Sequence, residues 1–231
     1  MGFSDLISLD QQLLLSLNGS ESLFFDGLVK TLTTAATWIP LYIALFYLVL
    51  KNNDRYQKVV LIVICAALCA FFAGSLDDMF IKPTVARWRP THDPVIGLDV
   101  DSVNGYRGGR FGFFSAHASN TFSIAIFFAL LIRSRLLSVA LILWSLVNCW
   151  TRLYLGVHFP GDILVGLLWG GIVGTAMWYL YIRLSKPYTT DATYVSEHYT
   201  SEGYELRDID VVVTVLAFTL AYAFIKACFF V

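Results

Sequence analysis

The sequence predicts an all-α integral membrane protein: a bundle of six transmembrane helices, preceded by an N-terminal amphipathic helix at the membrane interface. Three observations predict it: 57% of the 231 residues are hydrophobic, only 14% are charged, and long charge-free runs recur from residue 31 onward. A chain this apolar does not suit a soluble domain, and its length predicts one membrane-embedded domain spanning residues 1–231. The formal net charge of -1 supplies no basic field, which excludes nucleic acid as a partner.

The first 30 residues are predicted to form an interfacial segment outside the spans. Leu6, Leu9, Leu13 and Leu17 recur at helical spacing beside polar residues, which is typical of a two-faced helix lying in the membrane interface. A short helix packed against the bundle explains the pattern equally well. Because no cation precedes Lys30, we expect no signal peptide.

Six charge-free runs mark the predicted spans. Runs of roughly 16 to 20 residues supply about 24 to 30 Å at the rise of an α-helix, and flanking turns complete the crossing. The runs are 31–50, 59–76, 111–132 (interrupted only by a histidine), 136–151, 163–182 and 211–225. Residues 185–209, rich in Tyr, Thr and Glu, are predicted to be a cytoplasmic linker before the last span.

Alternation of the spans divides the polar connections between two sides of the membrane. Connections 77–110 and 152–162 share one side, called the site side below, and the remaining connections share the other. Each side carries eight of the 16 Lys and Arg residues. Three of those on the site side are candidates for chemistry, so five other cations remain on the site side and eight on the opposite side. Since short cytoplasmic loops are enriched in cations, the site side is predicted to face the periplasm or exterior of a bacterial inner membrane.

The first cluster of charge on the site side is basic. Lys82, Arg87 and Arg89 fall within eight residues, between Pro83 and Pro90. Charged groups at membrane depth are expensive and therefore mark functional sites. Read alone, however, basic residues beside a tryptophan also serve as headgroup anchors.

A second cluster opens the third predicted span. The unpaired amides and the dipole of a helix start form an anion site, and Ser115 and the amide of Ala116 are predicted to face that anion. His117 follows them directly. The alternatives are a plain N-cap for the serine and an interfacial role for the histidine.

The third cluster joins the fourth predicted span to the fifth. Pro160 suits the first turn of a helix, which places His158 just before that helix and Asp162 just inside it. A carboxylate there can accept the Nδ1 proton of His158 and leave Nε2 free as a nucleophile. The alternative is an aspartate that only complements the helix dipole.

Together the three clusters predict a phosphate site. A transferring phosphoryl group needs cations and amides around its oxygens, an in-line nucleophile and a proton for the leaving oxygen. The predicted nucleophile is His158, and protonated His117 donates to the departing group. No acid cluster suits a metal, so neither a metal nor another cofactor is predicted. The predicted phosphate-binding residues are Lys82, Arg87, Arg89, Ser115, Ala116 and Arg152.

These motifs resemble the three ordered signatures of the type 2 phosphatidic acid phosphatase (PAP2) family. Lys-x6-Arg-Pro spans 82–90, Ser-x-His spans 115–117, and Arg-x5-His-x3-Asp spans 152–162. The resemblance implies a metal-independent lipid phosphatase with a six-helix bundle and a phosphohistidine intermediate. Phe114 and Ala116 depart from the family's Pro-Ser-Gly-His, and Thr151 from its Ser-Arg. Neither Phe114 nor Ala116 removes a chemical role, but both bear on which headgroup fits.

Two classes of function compete. The first is an enzyme that releases phosphate from a membrane lipid: a polyprenyl diphosphate, phosphatidate, phosphatidylglycerophosphate or lipid A. The second is a carrier that binds a phosphorylated lipid without hydrolysing it, which would need the cations but neither His117 nor Asp162. The loop 91–110 is predicted to form the rim of the site and to select the headgroup.

Overall fold

The computed structural model describes residues 2–188 and 197–230, and its regular structure within those ranges is helical. Those described ranges contain nine α-helices. They are α1 (Phe3–Leu17), α2 (Leu23–Leu32), α3 (Ile39–Lys51), α4 (Tyr56–Ala70), α5 (Lys82–Val85), α6 (Ala116–Ile132), α7 (Arg135–Tyr154), α8 (Pro160–Ser185) and α9 (Leu206–Cys228).

Four helical stretches in the described ranges are long and apolar enough to cross a membrane, or five if the bent pair α2 and α3 counts as one span. They are Tyr56–Val85, Arg135–Tyr154, Pro160–Tyr188 and Leu206–Cys228. The helix α6, with 17 residues, is apolar but shorter. The chain is therefore an all-helical integral membrane protein, as its composition predicts.

The first predicted span is broken rather than continuous. α2 ends at Leu32, a 3-10 turn covers Ala35–Trp38, and α3 begins at Ile39, so that the two helices meet at 67°. Pro40 occupies the first turn of α3, where its missing N–H leaves no backbone acceptor unsatisfied. The indole N–H of Trp38 donates to the carbonyl of Leu32 at 2.8 Å, which closes the bend.

The second span is longer than predicted. Helix runs without a break from Tyr56 to Val85, through two π-helical turns at Phe71–Ser75 and Asp77–Ile81. The prediction that the span ends at residue 76 was based on the first charges. Those charges are partly compensated within the helix, since Lys82 pairs with the buried Asp77 and with the exposed Asp78.

The helices α6 and α8 pack closely against each other. A Cβ atom added at Gly166, Gly170 or Gly174 would approach the carbonyl oxygens of Ser115, Ser119 and Ser123 to 2.8, 2.5 and 2.5 Å. Small residues permit such backbone contact between membrane helices. This contact aligns the first turns of α6 and α8, which both carry predicted site residues.

The N-terminal segment divides into two parts. On α1 the side chains of Leu6, Leu9, Leu13 and Leu17 are exposed, whereas Leu14 is fully buried. The helix α2 instead packs within the bundle and contributes Leu28, Val29 and Leu32 to its interior. The predicted interfacial segment 1–30 therefore contains one helix with an outward apolar face and one that packs in the bundle.

The end of the bundle opposite the site is held by ion pairs. Lys51 Nζ lies 2.7 Å from Asp208 Oδ1, and Arg133 Nη1 lies 3.2 Å from Glu202 Oε1. Part of the predicted linker 185–209 lies outside the described residues. In its described part Tyr204 is buried and accepts a hydrogen bond from Asn53, so this stretch packs against the helix ends.

Candidate active site

Two histidine-bearing turns meet at one end of the bundle. His158 lies in the connection between α7 and α8, and His117 is the second residue of α6. The Ser115 N–H donates to the carbonyl of Asp162 at 3.1 Å, which joins the start of α6 to the start of α8. The packing thus brings the second and third sequence clusters together.

Asp162 is held from two directions. Its Oδ1 accepts from Arg87 Nη1 at 2.7 Å, and its Oδ2 accepts from the Phe159 N–H at 3.0 Å. Oδ2 also lies 3.7 Å from His158 Nδ1, which is too long for a hydrogen bond. That Nδ1 is buried without a hydrogen-bond partner among the described residues. The expected carboxylate and imidazole are neighbours, and their hydrogen bond stays a prediction.

The tautomer of His158 follows from its contact with Arg89. Arg89 Nη1 lies 3.1 Å from His158 Nε2, and a guanidinium can only donate hydrogen bonds. Nε2 must therefore be the acceptor, which places the ring proton on Nδ1, the nitrogen that faces Asp162. A neutral ring with a lone pair on Nε2 is the form that a nucleophile requires.

The environment of His158 also sets its protonation. Burial lowers the pKa of His158 well below its usual value, and the positive charges of Arg89 and Arg152 lower it further. The ring is therefore neutral at neutral pH, and it stays neutral as the pH falls through about 6.5, where a free histidine would become protonated.

This shift predicts an acid-tolerant nucleophile. With an aryl phosphate, whose leaving group needs no proton, the acid limb of kcat/KM assigned to His158 should have its midpoint below about pH 6.5. The measurement is a pH–rate profile corrected for titration of the substrate's own phosphate. A midpoint above that value would contradict a buried, cation-surrounded imidazole.

Arg89 is fixed in the site by backbone groups. Its Nε donates to the carbonyl of Phe111 and its Nη1 to that of Val157, both at 3.1 Å. Two glycines make room for it, because a Cβ at Gly112 would lie 3.0 Å from Arg89 Cγ and one at Gly108 would lie 3.1 Å from Nη1. The guanidinium is thus oriented towards His158 by contacts that a shorter or more flexible cation would lose.

Replacing Arg89 by lysine is therefore expected to lower kcat/KM about 100-fold, although the charge is kept. An ammonium cannot bind two backbone carbonyls and two phosphate oxygens in one plane. Steady-state kinetics on detergent-solubilised protein would measure the loss. Arg107→Lys, an exposed cation of the same loop, is the matched control, and unchanged turnover in Arg89→Lys would remove Arg89 from the site.

Arg152 lines a cavity beside His117. Its side chain is buried, with Nη1 2.5 Å from Thr33 Oγ1 and Nη2 3.4 Å from the Tyr106 hydroxyl. Nε has no hydrogen-bond partner among the described residues. The cavity has a volume of about 540 Å³ and is lined by Lys30, Thr33, Thr34, Val103, Asn104, Gly105, Tyr106, His117, Arg152 and Leu155. The loop 91–110 therefore supplies one wall of the cavity.

Lys82 lies near the end of the long helix Tyr56–Val85. Its Nζ lies 2.9 Å from Asp77 Oδ2 and is also paired with Asp78. Asp77 is fully buried, and its Oδ1 accepts from the Phe114 N–H at 3.2 Å. Sequence reasoning missed both aspartates, although the four-residue spacing of Asp78 and Lys82 is a signal for a helical ion pair.

Ser115 is the N-cap of α6. The residue is fully buried, and its Oγ accepts from the Ala118 N–H at 3.4 Å. The amides of the first turn, including that of Ala116, have no partner within the helix. In the structure Ser115 thus makes the N-cap contact that was the alternative to phosphate binding. Contact of Ser115 and Ala116 with phosphate stays a prediction.

Arg87 lies behind Asp162 rather than beside the other cations. Its Nη1 donates to Asp162 and its Nη2 to Asp10. Both guanidinium nitrogens at its tip are thus engaged by carboxylates, which does not favour the expected role in gripping phosphate. Among residues 2–188 and 197–230, no group of three or more His, Cys, Asp or Glu residues could hold a metal ion.

Fold and site together define an integral membrane protein in which His158 lies next to Arg89 and Asp162 at one end of the bundle, and in which His117 and Arg152 line a cavity. The PAP2 superfamily model matches residues 59–186, and the chain belongs to that superfamily, as its motifs predict. No solved structure matches.

Curated relatives narrow the comparison. The chain is 39% identical over 188 residues to a lipid A 4'-phosphatase of Bacteroides thetaiotaomicron, which covers 80% of this chain and 83% of that protein. It is 35% identical over 183 residues to a lipid A 4'-phosphatase of Porphyromonas gingivalis, with coverage of 77% and 76%. A decaprenylphosphoryl-5-phosphoribose phosphatase of Mycobacterium tuberculosis is 35% identical over 105 residues, 46% of this chain and 53% of that protein. The chain is accordingly a member of a lipid phosphatase family.

Proposed function

We propose that this protein hydrolyses the phosphate ester of a membrane lipid without a metal, through a phosphohistidine on His158. The observation that carries the proposal is the contact of Arg89 with Nε2 of His158 at 3.1 Å. A guanidinium that can bind phosphate therefore lies within hydrogen-bond distance of the lone pair of a neutral imidazole. A carrier would need the cation but not a nucleophile held in this tautomer.

The proposed reaction has two steps. Nε2 of His158 attacks phosphorus and the bond to the lipid oxygen breaks, while protonated His117 gives its proton to that oxygen. Water then attacks phosphorus while His117 takes a proton from the water, the bond between phosphorus and Nε2 of His158 breaks, and free phosphate leaves. Asp162 stabilises the positive charge that develops on the His158 ring. Lys82, Arg89, Arg152 and the amides at the start of α6 hold the phosphate oxygens.

The proposed substrate is a lipid that carries a phosphorylated sugar, with the 4'-phosphate of lipid A as the first choice. Two relatives that cover more than three quarters of the chain carry that activity in their names. The cavity beside His117 is lined by Thr33, Thr34, Asn104 and Tyr106, whose hydroxyl and amide groups can hydrogen-bond to a sugar.

A substrate panel tests the reaction and the headgroup together. Phosphate release would be measured from detergent-solubilised lipid A, a polyprenyl diphosphate, phosphatidate and phosphatidylglycerophosphate, each with EDTA and with orthovanadate. We expect the highest kcat/KM on lipid A, indifference to EDTA and inhibition by vanadate. Loss of activity with EDTA would contradict the metal-independent mechanism, and a preference for another lipid would replace only the substrate.

We further propose six spans: the bent pair α2 and α3, the helix Tyr56–Val85, and α6 to α9. The 17 residues of α6 extend roughly 26 Å at the rise of an α-helix, and its ends are flanked by the site loop and by Arg133. The exposed leucines of α1 would lie in the membrane interface.

The proposed orientation places the site outside the cytoplasmic membrane, with residues 51–58 inside. Single cysteines at Asp99 and Asp54, both exposed, would be introduced in a Cys228→Ser background and labelled in intact cells with an impermeant reagent. We expect labelling at position 99 alone. Labelling at position 54 alone would reverse the orientation.

A further inference from the structure

Asp10 of α1 makes polar contacts with Arg87 and Gly161, which are neighbours of Asp162, although Asp10 belongs to none of the three motifs. Its Oδ2 accepts from Arg87 Nη2 at 2.6 Å, and its Oδ1 accepts from the Gly161 N–H at 2.8 Å. The other terminal nitrogen of Arg87 donates to Asp162. One guanidinium therefore joins the N-terminal helix to the carboxylate that faces His158.

This bridge has a defined geometry. The Arg87 guanidinium stacks over the Phe159 ring at 4.4 Å, and its two terminal nitrogens each bind a different carboxylate. Gly161 permits the approach of α1, since a Cβ there would lie 3.0 Å from Asp10 Oδ2. The side chain of Asp10 is only 16% exposed and that of Asp162 is fully buried, so solvent screens the pairs little.

The rest of α1 holds Asp10 in place. Leu14, one turn further on, is fully buried against Val100 and Phe159. Asn18, one turn beyond that, donates to the carbonyl of Tyr154 at 2.8 Å. Three residues spaced by four thus attach one face of α1 to the loops and helix ends of the site.

We propose that Asp10 is a positioning residue, which acts through Arg87 to keep Oδ2 of Asp162 directed at His158. This inference rests on the proposed function, because it gives Asp10 a part in orienting the proposed nucleophile. Without Asp10, Arg87 has one carboxylate left and can bind both of its oxygens in the bidentate geometry that such pairs prefer. Oδ2 is then drawn away from Nδ1.

The first test is Asp10→Asn in the full-length protein. We expect kcat to fall about tenfold through misorientation of the nucleophile, with KM within about twofold because Asp10 contacts no part of the substrate cavity. Asp10→Glu keeps the charge and should give an intermediate kcat. Asp5→Asn is the matched control, an exposed aspartate of α1 whose carboxylate accepts from the Gly2 N–H in its own first turn.

A double-mutant cycle separates positioning from general stability. If Asp10 acts through Arg87, kcat of Asp10→Asn/Arg87→Gln should equal that of Arg87→Gln alone. Losses that multiply in the double variant, or a wild-type kcat in Asp10→Asn, would overturn the inference. Should Asp10→Asn fail to fold by size-exclusion chromatography, Asp10→Glu carries the test, and a wild-type kcat there would contradict the geometry required.

The variant His158→Ala distinguishes failure of this inference from failure of the proposed function. Phosphate release retained by His158→Ala would refute the proposed nucleophile. Even then, a double variant Asp10→Asn/Arg87→Gln with the same kcat as Arg87→Gln alone would still support a bridge that orients Asp162. If His158→Ala loses phosphate release as expected but Asp10→Asn keeps the wild-type kcat, only the Asp10 inference is overturned.

Discussion

Replacement of His158 by alanine should abolish turnover, with kcat lowered by about 10,000-fold or more, since no other group offers a lone pair at the same point. No acid-labile phosphate should appear on the protein, because the atom that carries the phosphoryl group is gone. The measurement combines phosphate release with acid-quench labelling from a radiolabelled lipid phosphate.

The control for that variant is His92→Ala. His92 lies in the site loop, where its Nδ1 is 3.2 Å from Thr91 Oγ1, and it belongs to none of the motifs. We expect its turnover to stay within about threefold of wild type, as for a surface substitution. Acid-labile label on the His158→Ala protein would refute the assignment of the nucleophile.

Replacement of His117 by alanine should lower kcat on a lipid substrate about 1,000-fold, within the range of a lost general acid. The loss should be much smaller in the first step with para-nitrophenyl phosphate, since nitrophenolate leaves without a proton. Hydrolysis of the phosphohistidine still needs a base to take the proton of water. A burst of nitrophenol followed by accumulated acid-labile phosphoenzyme is therefore expected.

Rapid-quench kinetics would detect that burst. The matched comparison is His158→Ala, which should give neither burst nor phosphoenzyme with the same aryl phosphate. Equal losses of His117→Ala on both substrates, without a burst, would exclude His117 as the proton donor and leave it a role in binding alone.

The candidate residues were predictable because each motif is local. The spacing of His158 and Asp162 across a helix start follows from one turn of backbone, and Pro160 marks that start in the sequence. Ser115 and His117 flank the first turn of α6 for the same reason. Short-range geometry thus identified which side chains could take part in chemistry, before any packing was known.

Contacts between distant parts of the chain were not predictable in this way. Arg89 and His158 are 69 residues apart, and Arg87 and Asp10 are 77 residues apart. In the sequence Arg87 and Arg89 look equivalent, yet only Arg89 reaches the imidazole. Arg87 contacts Asp10 and Asp162, whereas Arg89 contacts His158, and hydropathy carries no information about that difference.

The span boundaries show a different limit, because hydropathy does not register local contacts between side chains. A hydropathy reading ends the second span at the first charge, but Asp77 and Lys82 neutralise each other inside the helix and let it continue. The bend between α2 and α3 likewise involves a contact that hydropathy does not reveal, the hydrogen bond from the Trp38 indole to the Leu32 carbonyl six residues earlier, as well as Pro40.

The amino-acid sequence alone determined that this is a helical membrane protein with three chemistry-bearing motifs on one side, because apolar run length and motif spacing are properties of neighbouring residues. The tertiary structure alone decided which cation contacts the imidazole, which one contacts Asp162, and that Asp10 of α1 contacts Arg87. Those outcomes depend on how helices distant in sequence pack, and Gly166, Gly170 and Gly174 let the closest pair approach.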